Sequence, residues 1–333
     1  EEEADRWYDD PDHNRRPPEL LPRDEVARAN NAEVKAGRGS PHGGVFLDIA
    51  SRRPAEEILR RLPSMYHQFK ELADVDITKE PMEVGPAQHY VMGGVEVDPD
   101  TAASIVPGLF AAGEGSGGMH GSNRLGGNSL SDLLVFGRRA GTGAVEYLDS
   151  LDTRGDARPK ASDAELEAAR AEALAPLERS GGENPYTVHS EVQQTMSDLV
   201  GIIRKEEEIK TALAELEKLR ARAANVSAQG GPAYNPGWHL ALDLRNIMLI
   251  ADCVAQAALE RQESRGGHTR DDFPAMSPEW RKVNLICTLD GDRVAIRRQP
   301  MVPMREDLLE LFDRAELKKY YTEAELPPEE TKQ

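Results

Sequence analysis

From Pro159 to Glu263 the sequence is written mostly in Ala, Glu, Leu, Lys and Arg, with apolar residues returning at helical spacing. A stretch of this kind folds by laying the apolar stripes of several helices against one another. That predicts helices near 163–179, 186–222 with a break near Gly201, and 238–263, packed as an antiparallel bundle. Within it, RKEEEIKTALAELEKLRARA reads as a solvated amphipathic helix held by i,i+4 ion pairs, not as a binding surface.

The remainder has different textures. From Arg23 to about Leu72, a helical pattern on Val26, Ala29 and Val34, a GRGSPHGG turn, a VFLDI strand and a helix ending in ILRRLPSMYHQFKELA predict a small α+β unit. Residues 84–118 alternate short apolar runs with turns, and GLFAA reads as a buried strand ending at glycine. A helix is predicted from Asn128 through SLSDLLVFGRRAGTGAVEYL, capped by Asn128 or Ser129, with Asp132 close behind to favour its positive end. Val283–Thr288 and Val294–Arg297 predict a hairpin around Asp290 and Gly291, followed by a polar helix and a disordered end. The fold class is α+β, divided at 1–83, 84–150, 151–264 and 265–333.

Composition narrows the function. The 333 residues exceed one ordinary core, and the net charge of −18 repels nucleic-acid phosphates and anionic membrane surfaces, so no nucleic-acid partner is expected. An anionic substrate then requires a local basic pocket, for which Arg23, Arg28 and Arg124 are candidates. Only Cys253 and Cys287 are present, without metal-site spacing, so no disulfide framework or metal site is expected and a reducing cytoplasm fits. No apolar run reaches the ~20 residues of a membrane span. The polar, Pro-rich run Glu1–Pro22 opens without methionine, and an N-terminal region is expected to precede it.

The chemistry concentrates in MHGSNRLGGNSL, residues 119–130. Arg124 can fork onto a carboxylate through two parallel hydrogen bonds, while Gly121, Gly126 and Gly127 let a ligand approach the backbone. Gly113, Gly115 and Gly118 satisfy G-x-G-x-x-G, yet MHGSNR follows where a dinucleotide loop needs a helix, so that motif is set aside.

HYVMGG at 89–94, GLFAAGE at 108–114, HGSNRLGGNSL at 120–130, VFGRRAG at 135–141 and RQESRGGHTRDDFP at 261–274 together resemble the flavoprotein subunit of succinate dehydrogenase and fumarate reductase, in order and spacing. The resemblance covers only the C-terminal half or so of such a subunit. It implies a partial FAD-dependent oxidoreductase: the end of a capping domain, the C-terminal part of an FAD-binding domain, a helical bundle and a C-terminal region. It implies His89 and Arg124 as ligands of a C4 dicarboxylate. Arg23 is implied as the catalytic proton carrier, a role that needs a carboxylate and a second arginine upstream, because a lone guanidinium with a pKa above ~12 is a poor base. Glu114, Asn128, Ser129 and Leu130 are implied FAD contacts, with the covalent attachment histidine upstream. Arg265, His268 and Arg270 are implied structural or interface residues.

The function implied is oxidation of succinate to fumarate, or the reverse, by hydride transfer to FAD. Electrons would pass through an iron–sulfur subunit to a quinone, with membrane-anchor subunits holding the complex at the inner face of the cell membrane. The chain alone is expected to be inactive. An L-aspartate oxidase-like enzyme, which shares the HGxNRL and NSL elements, and a noncatalytic truncated remnant are the alternatives.

Overall fold

The computed structural model describes residues 23–151 and 160–326. The polar opening run and the last residues of the tail lie outside them. Two compact units divide between Tyr90 and Val91.

In the N-terminal unit, α1 (Arg23–Lys35) is followed by β1 (Val45–Leu47), α2 (Ala55–Arg61), α3 (Pro63–Ala73) and β2 (Met82–Val84). The single helix expected over ILRRLPSMYHQFKELA is two. Pro63 restricts the residue before it, and Leu62 sits outside the helical region at φ −126°, ψ 46°, so α2 ends and α3 starts with proline at its first position. β1 and β2 pair antiparallel, Val45 opposite Val84 and Leu47 opposite Met82. The turn before β1 lies flat on β2: a Cβ at Gly44 would stand 2.3 Å from the Val84 carbonyl oxygen. Ile58, Ile77 and Met82 form the core, with Tyr66 and Phe69 packed against it.

The second unit opens with a long loop region and α4 (Asn128–Ser150), then α5 (Asp163–Glu178), α6 (Pro185–Leu199), α7 (Glu206–Ala223) and α8 (Pro236–Glu260). The starts follow local chemistry. Ser162 and Glu165 form a capping box, and Asn184 and Asn235 each accept a backbone N–H ahead of a proline at the first helical position. Val188, Val192, Ile209, Leu216, Leu219, Leu244, Met248 and Ala255 share one core among α6, α7 and α8. The outer face of α7 carries the expected short-range ion pairs, Lys210–Glu206 and Arg220–Glu217 among them. Its arginines also clasp neighbouring elements: Arg220 reaches buried Asp252 at 2.9 Å and Arg222 bridges Glu183 and Glu191.

β3 (Val283–Asp290) and β4 (Arg293–Pro300) form the hairpin, turning through Gly291 and Asp292. Two short helices, α9 (Glu306–Leu309) and α10 (Arg314–Leu317), follow. Cys287 on β3 lies against α8, its thiol 3.9 Å from the Cys253 carbonyl; burial, together with Cys287, pushes the Cys253 thiol up to about 11. GLFAA is not a strand. Only Phe110 makes an isolated bridge, to Ala103, and the run is half-buried or exposed, because the backbone finds no long neighbouring strand among the described residues. On α4, Leu130, Leu133, Leu134 and Val145 are exposed. Among the described residues no helix is long and apolar enough to cross a membrane.

The end of α8 is closed by RQESRGGHTRDDFP. Arg270, with no exposed surface, donates to the Ala258 and Leu259 carbonyls at 2.8 and 3.1 Å and grips Asp272 through two 2.7 Å bonds. Its guanidinium, more than any other neighbour, holds the Asp272 carboxyl down at about 2. Glu263, equally buried, takes Arg261 and Arg265. Burial alone would raise the Glu263 carboxyl, but hydrogen bonds from Arg265, the Ser277 amide and Arg261 bring it below the usual range. His268 accepts from Arg204 at Nδ1 (2.8 Å) and donates from Nε2 to the Arg261 carbonyl (3.0 Å), the pattern of a neutral imidazole. Burial first, then Arg204, depresses it to about 4.

Unfolding returns His268 to a pKa near 6.5, so the unfolded chain takes up the proton first and stability falls as pH drops from about 6.5 towards 4. Urea titrations between pH 7 and 5, above the range where the depressed carboxylates contribute, should show a falling midpoint whose slope is reduced in His268→Gln.

Candidate functional site

The loops between Val91 and α4 fold onto their own backbone. Glu114 accepts from the Val91 amide at 2.9 Å, the Val95 amide donates to the Gly115 carbonyl at 2.9 Å, and the Gly117 amide returns to Val95 at 3.0 Å. At this crossing a Cβ on Gly94 would lie 2.6–2.8 Å from the backbone of Gly115 and Ser116, so only glycine allows the approach. Ser116 is buried and donates to the Gly113 carbonyl at 2.8 Å. No helix follows GEGSGG: Gly113–Gly115 is a 3₁₀ turn and irregular backbone continues to Gly127. The dinucleotide-loop motif is therefore absent there as a structure.

α4 starts differently from expectation. Gly127, in the left-handed region at φ 86°, occupies the capping position with no side-chain cap, and Asn128 is the first helical residue. Asp132 has a partner of its own. It is buried, and His120 donates from Nε2 to its Oδ2 at 3.1 Å, tying the loop to the second turn of α4. Periodicity gives no sign of this pair, because its spacing belongs to a loop folding back on a helix.

The half-buried Arg124 lies between this tie and the helix start, its Nη1 donating to the Leu125 carbonyl at 3.3 Å. In the same stretch of sequence Gly115, Gly118, Gly121, Gly126 and Gly127 face open space on the side where a Cβ would stand. Bare backbone, a helix N-terminus and a guanidinium thus occupy one continuous stretch, which can receive an anionic, planar ligand with little steric cost. Those features fit FAD and a dicarboxylate. Ser129 is half-buried, while Asn128 and Leu130 are exposed; Glu114 is exposed and already holds Val91.

Arg23 and His89 lie in the N-terminal unit. Arg23 is the exposed first residue of α1, beside the Arg28–Asp24 ion pair, and His89 is exposed six residues from Glu83, the last-but-one residue of β2. Arg265, His268 and Arg270 are engaged in the closure of α8. One contact escaped the sequence altogether: the Gly267 amide donates to the Ser122 carbonyl at 3.0 Å, two residues before Arg124.

Two family descriptions match the chain: "FAD binding domain" over residues 6–130 and "Fumarate reductase flavoprotein C-term" over residues 189–316. A fumarate reductase (CoM/CoB) subunit of Methanothermobacter marburgensis is 39% identical over 80% of this chain and 47% of its own length. The succinate dehydrogenase flavoprotein subunit of Coxiella burnetii is 36% identical over 86% of this chain and 50% of its own. Among solved structures, Mycobacterium smegmatis Sdh1 in complex with UQ1 superposes with a TM-score of 0.83 at 64% identity, covering 94% of this chain and 53% of that one. The chain spans about half the length of the curated relatives it matches.

Because the His120–Asp132 bond is buried, losing one partner should cost about 1–3 kcal/mol. Denaturant unfolding of His120→Ala, Asp132→Ala and the double variant should give a coupling of roughly 0.5–3 kcal/mol; additive single effects would show the contact to be incidental.

Proposed function

We propose that this chain, which belongs to the flavoprotein-subunit family of succinate dehydrogenase and fumarate reductase, supplies the dicarboxylate-binding and part of the FAD-binding half of an enzyme interconverting succinate and fumarate. The observation that carries this reading is Arg124, set among open-faced glycines just ahead of the α4 N-terminus.

Arg124 grips one carboxylate bidentately and His89 donates to the other. Fixing both ends of a C4 acid selects which C–H bond is presented and replaces a diffusive encounter with a near-attack geometry. Arg23 carries the proton, its guanidinium made competent by the carboxylate and second arginine of the remaining half. FAD, when bound, supplies the two-electron acceptor. Glu114, Asn128, Ser129 and Leu130 would hold it, Glu114 through its sugar hydroxyls and the others at its ring, where the roughly +0.5 charge of a helix N-terminus would favour added negative charge.

In the assembled protein residues 1–83 belong to the capping domain, 84–150 to the FAD-binding domain, 151–264 to the bundle and 265–333 to the C-terminal region. The apolar side chains left bare on α4 are covered by the other half of the same flavoprotein. An iron–sulfur subunit takes or delivers the electrons, with a quinone beyond it and membrane-anchor subunits holding the assembly at the inner face of the cell membrane.

In the full-length flavoprotein, Arg124→Ala should lower kcat/KM for succinate by roughly 30- to 4,000-fold, the equivalent of about 2–5 kcal/mol. Arg23→Ala should abolish dye reduction while flavin absorbance is retained; loss of flavin with activity would mean a structural role for Arg23. The 333-residue chain alone should not turn over succinate in the same assay.

A further inference from the structure

We infer that the Arg265–His268 turn, at the far end of the helical bundle in sequence, is the positioning element for the loop bearing Arg124, and so sets dicarboxylate affinity without touching the substrate. This rests on Arg124 being a substrate ligand.

The contact is made through backbone. The Gly267 amide donates to the Ser122 carbonyl at 3.0 Å, and Gly266 lies so close that a Cβ there would stand 2.4 Å from the same oxygen and 2.7 Å from the Ser122 carbonyl carbon. Neither atom belongs to a flexible side chain, and Gly266 has φ +57°, where side chains are strained. Any residue but glycine must therefore push Ser122 away, and Arg124 with it.

The other side of the contact cannot give. Arg265 and His268 exchange backbone hydrogen bonds at 2.8 and 3.0 Å. The Arg265 side chain is pinned by Glu263, which has no exposed surface, and by the Ser277 carbonyl at 3.1 Å. The His268 ring is held between Arg204 and the Arg261 carbonyl. Buried ion pairs of this kind have steep costs when broken, so the turn acts as a rigid stop against which the irregular loop is set. His120–Asp132 fixes that loop from the α4 side, leaving Arg124 between two anchors.

The two adjacent glycines provide their own comparison. In the full-length, flavin-loaded protein, Gly266→Ala should raise the succinate KM roughly 10- to 100-fold with a smaller change in kcat, and speed amide exchange across residues 120–125. Gly267→Ala keeps the N–H and places its Cβ at ordinary contact, 3.7 Å from Ser122, so both readouts should change much less. If Gly266→Ala does not fold, Glu263→Gln loosens Arg265 without adding volume and should raise KM and exchange in the same direction. Unchanged exchange at 120–125 would overturn the inference. So would faster exchange with unaltered KM in a protein where Arg124→Ala destroys succinate binding. If Arg124→Ala also leaves succinate binding intact, the assignment of Arg124 itself has failed, and the inference with it.

Discussion

Burying guanidinium groups without stranding their charge is the constraint on which the second unit depends. Where α8 ends, Arg261 and Arg265 converge on Glu263 and Arg270 on Asp272, while Arg204 donates to His268 and to the Val200 and Gly201 carbonyls. The excess positive charge is met by the α8 carbonyls at Ala258, Leu259 and Arg261, the negative end of a long helix. Burial first, and then the cation a protonated imidazole would add beside Arg204, keep His268 neutral and an acceptor for Arg204. The arrangement converts charge, costly to bury, into directional bonds that hold the turn after Glu263.

The rigidity of that end contrasts with the stretch it supports. Between Val91 and Gly127 regular structure is nearly absent, and the backbone is held by a few exchanges: Glu114 on the Val91 amide, Val95 against Gly115 and Gly117, His120 on Asp132. Glycine lets these strands of loop approach one another at Gly94, and lets the same loops expose bare peptide at Gly121, Gly126 and Gly127. For the proposed function, in which this surface lies against a flat cofactor and a small acid, having no side chains in the way is a gain. The cost is a loop with little intrinsic preference for one shape, which makes external anchoring necessary.

Much of this was legible from local rules and much was not. The helices of the bundle follow apolar periodicity and announce their starts through Ser162, Asn184-Pro185 and Asn235-Pro236; the hairpin follows from Asp290-Gly291. Even the missed break at Leu62 has a local cause in Pro63. GLFAA failed because an apolar run says only that a segment would pair if a neighbour were supplied. Asn128 was misjudged as a cap for a different reason: helix-end rules treat a terminus as isolated, whereas here Gly127 turns the chain; the same rules give no sign that His120 holds Asp132. Arg23 and His89 have no local signature, and the roles proposed for them come from family register; Arg124 is marked by the glycines around it in sequence, but its proposed part as a dicarboxylate ligand comes from that register too. The Ser122 contact, joining residues far apart in sequence through main-chain atoms, leaves no trace in composition or spacing.

The pair of thiols adds a practical property. Cys253 and Cys287 are the chain's only cysteines, lie together where β3 rests on α8, and the first is held in its unreactive protonated form at physiological pH. Alkylating reagents therefore meet a slow target until the hairpin lifts from the helix, so the rate of thiol labelling becomes an internal clock for that separation, read at native cysteines with none introduced.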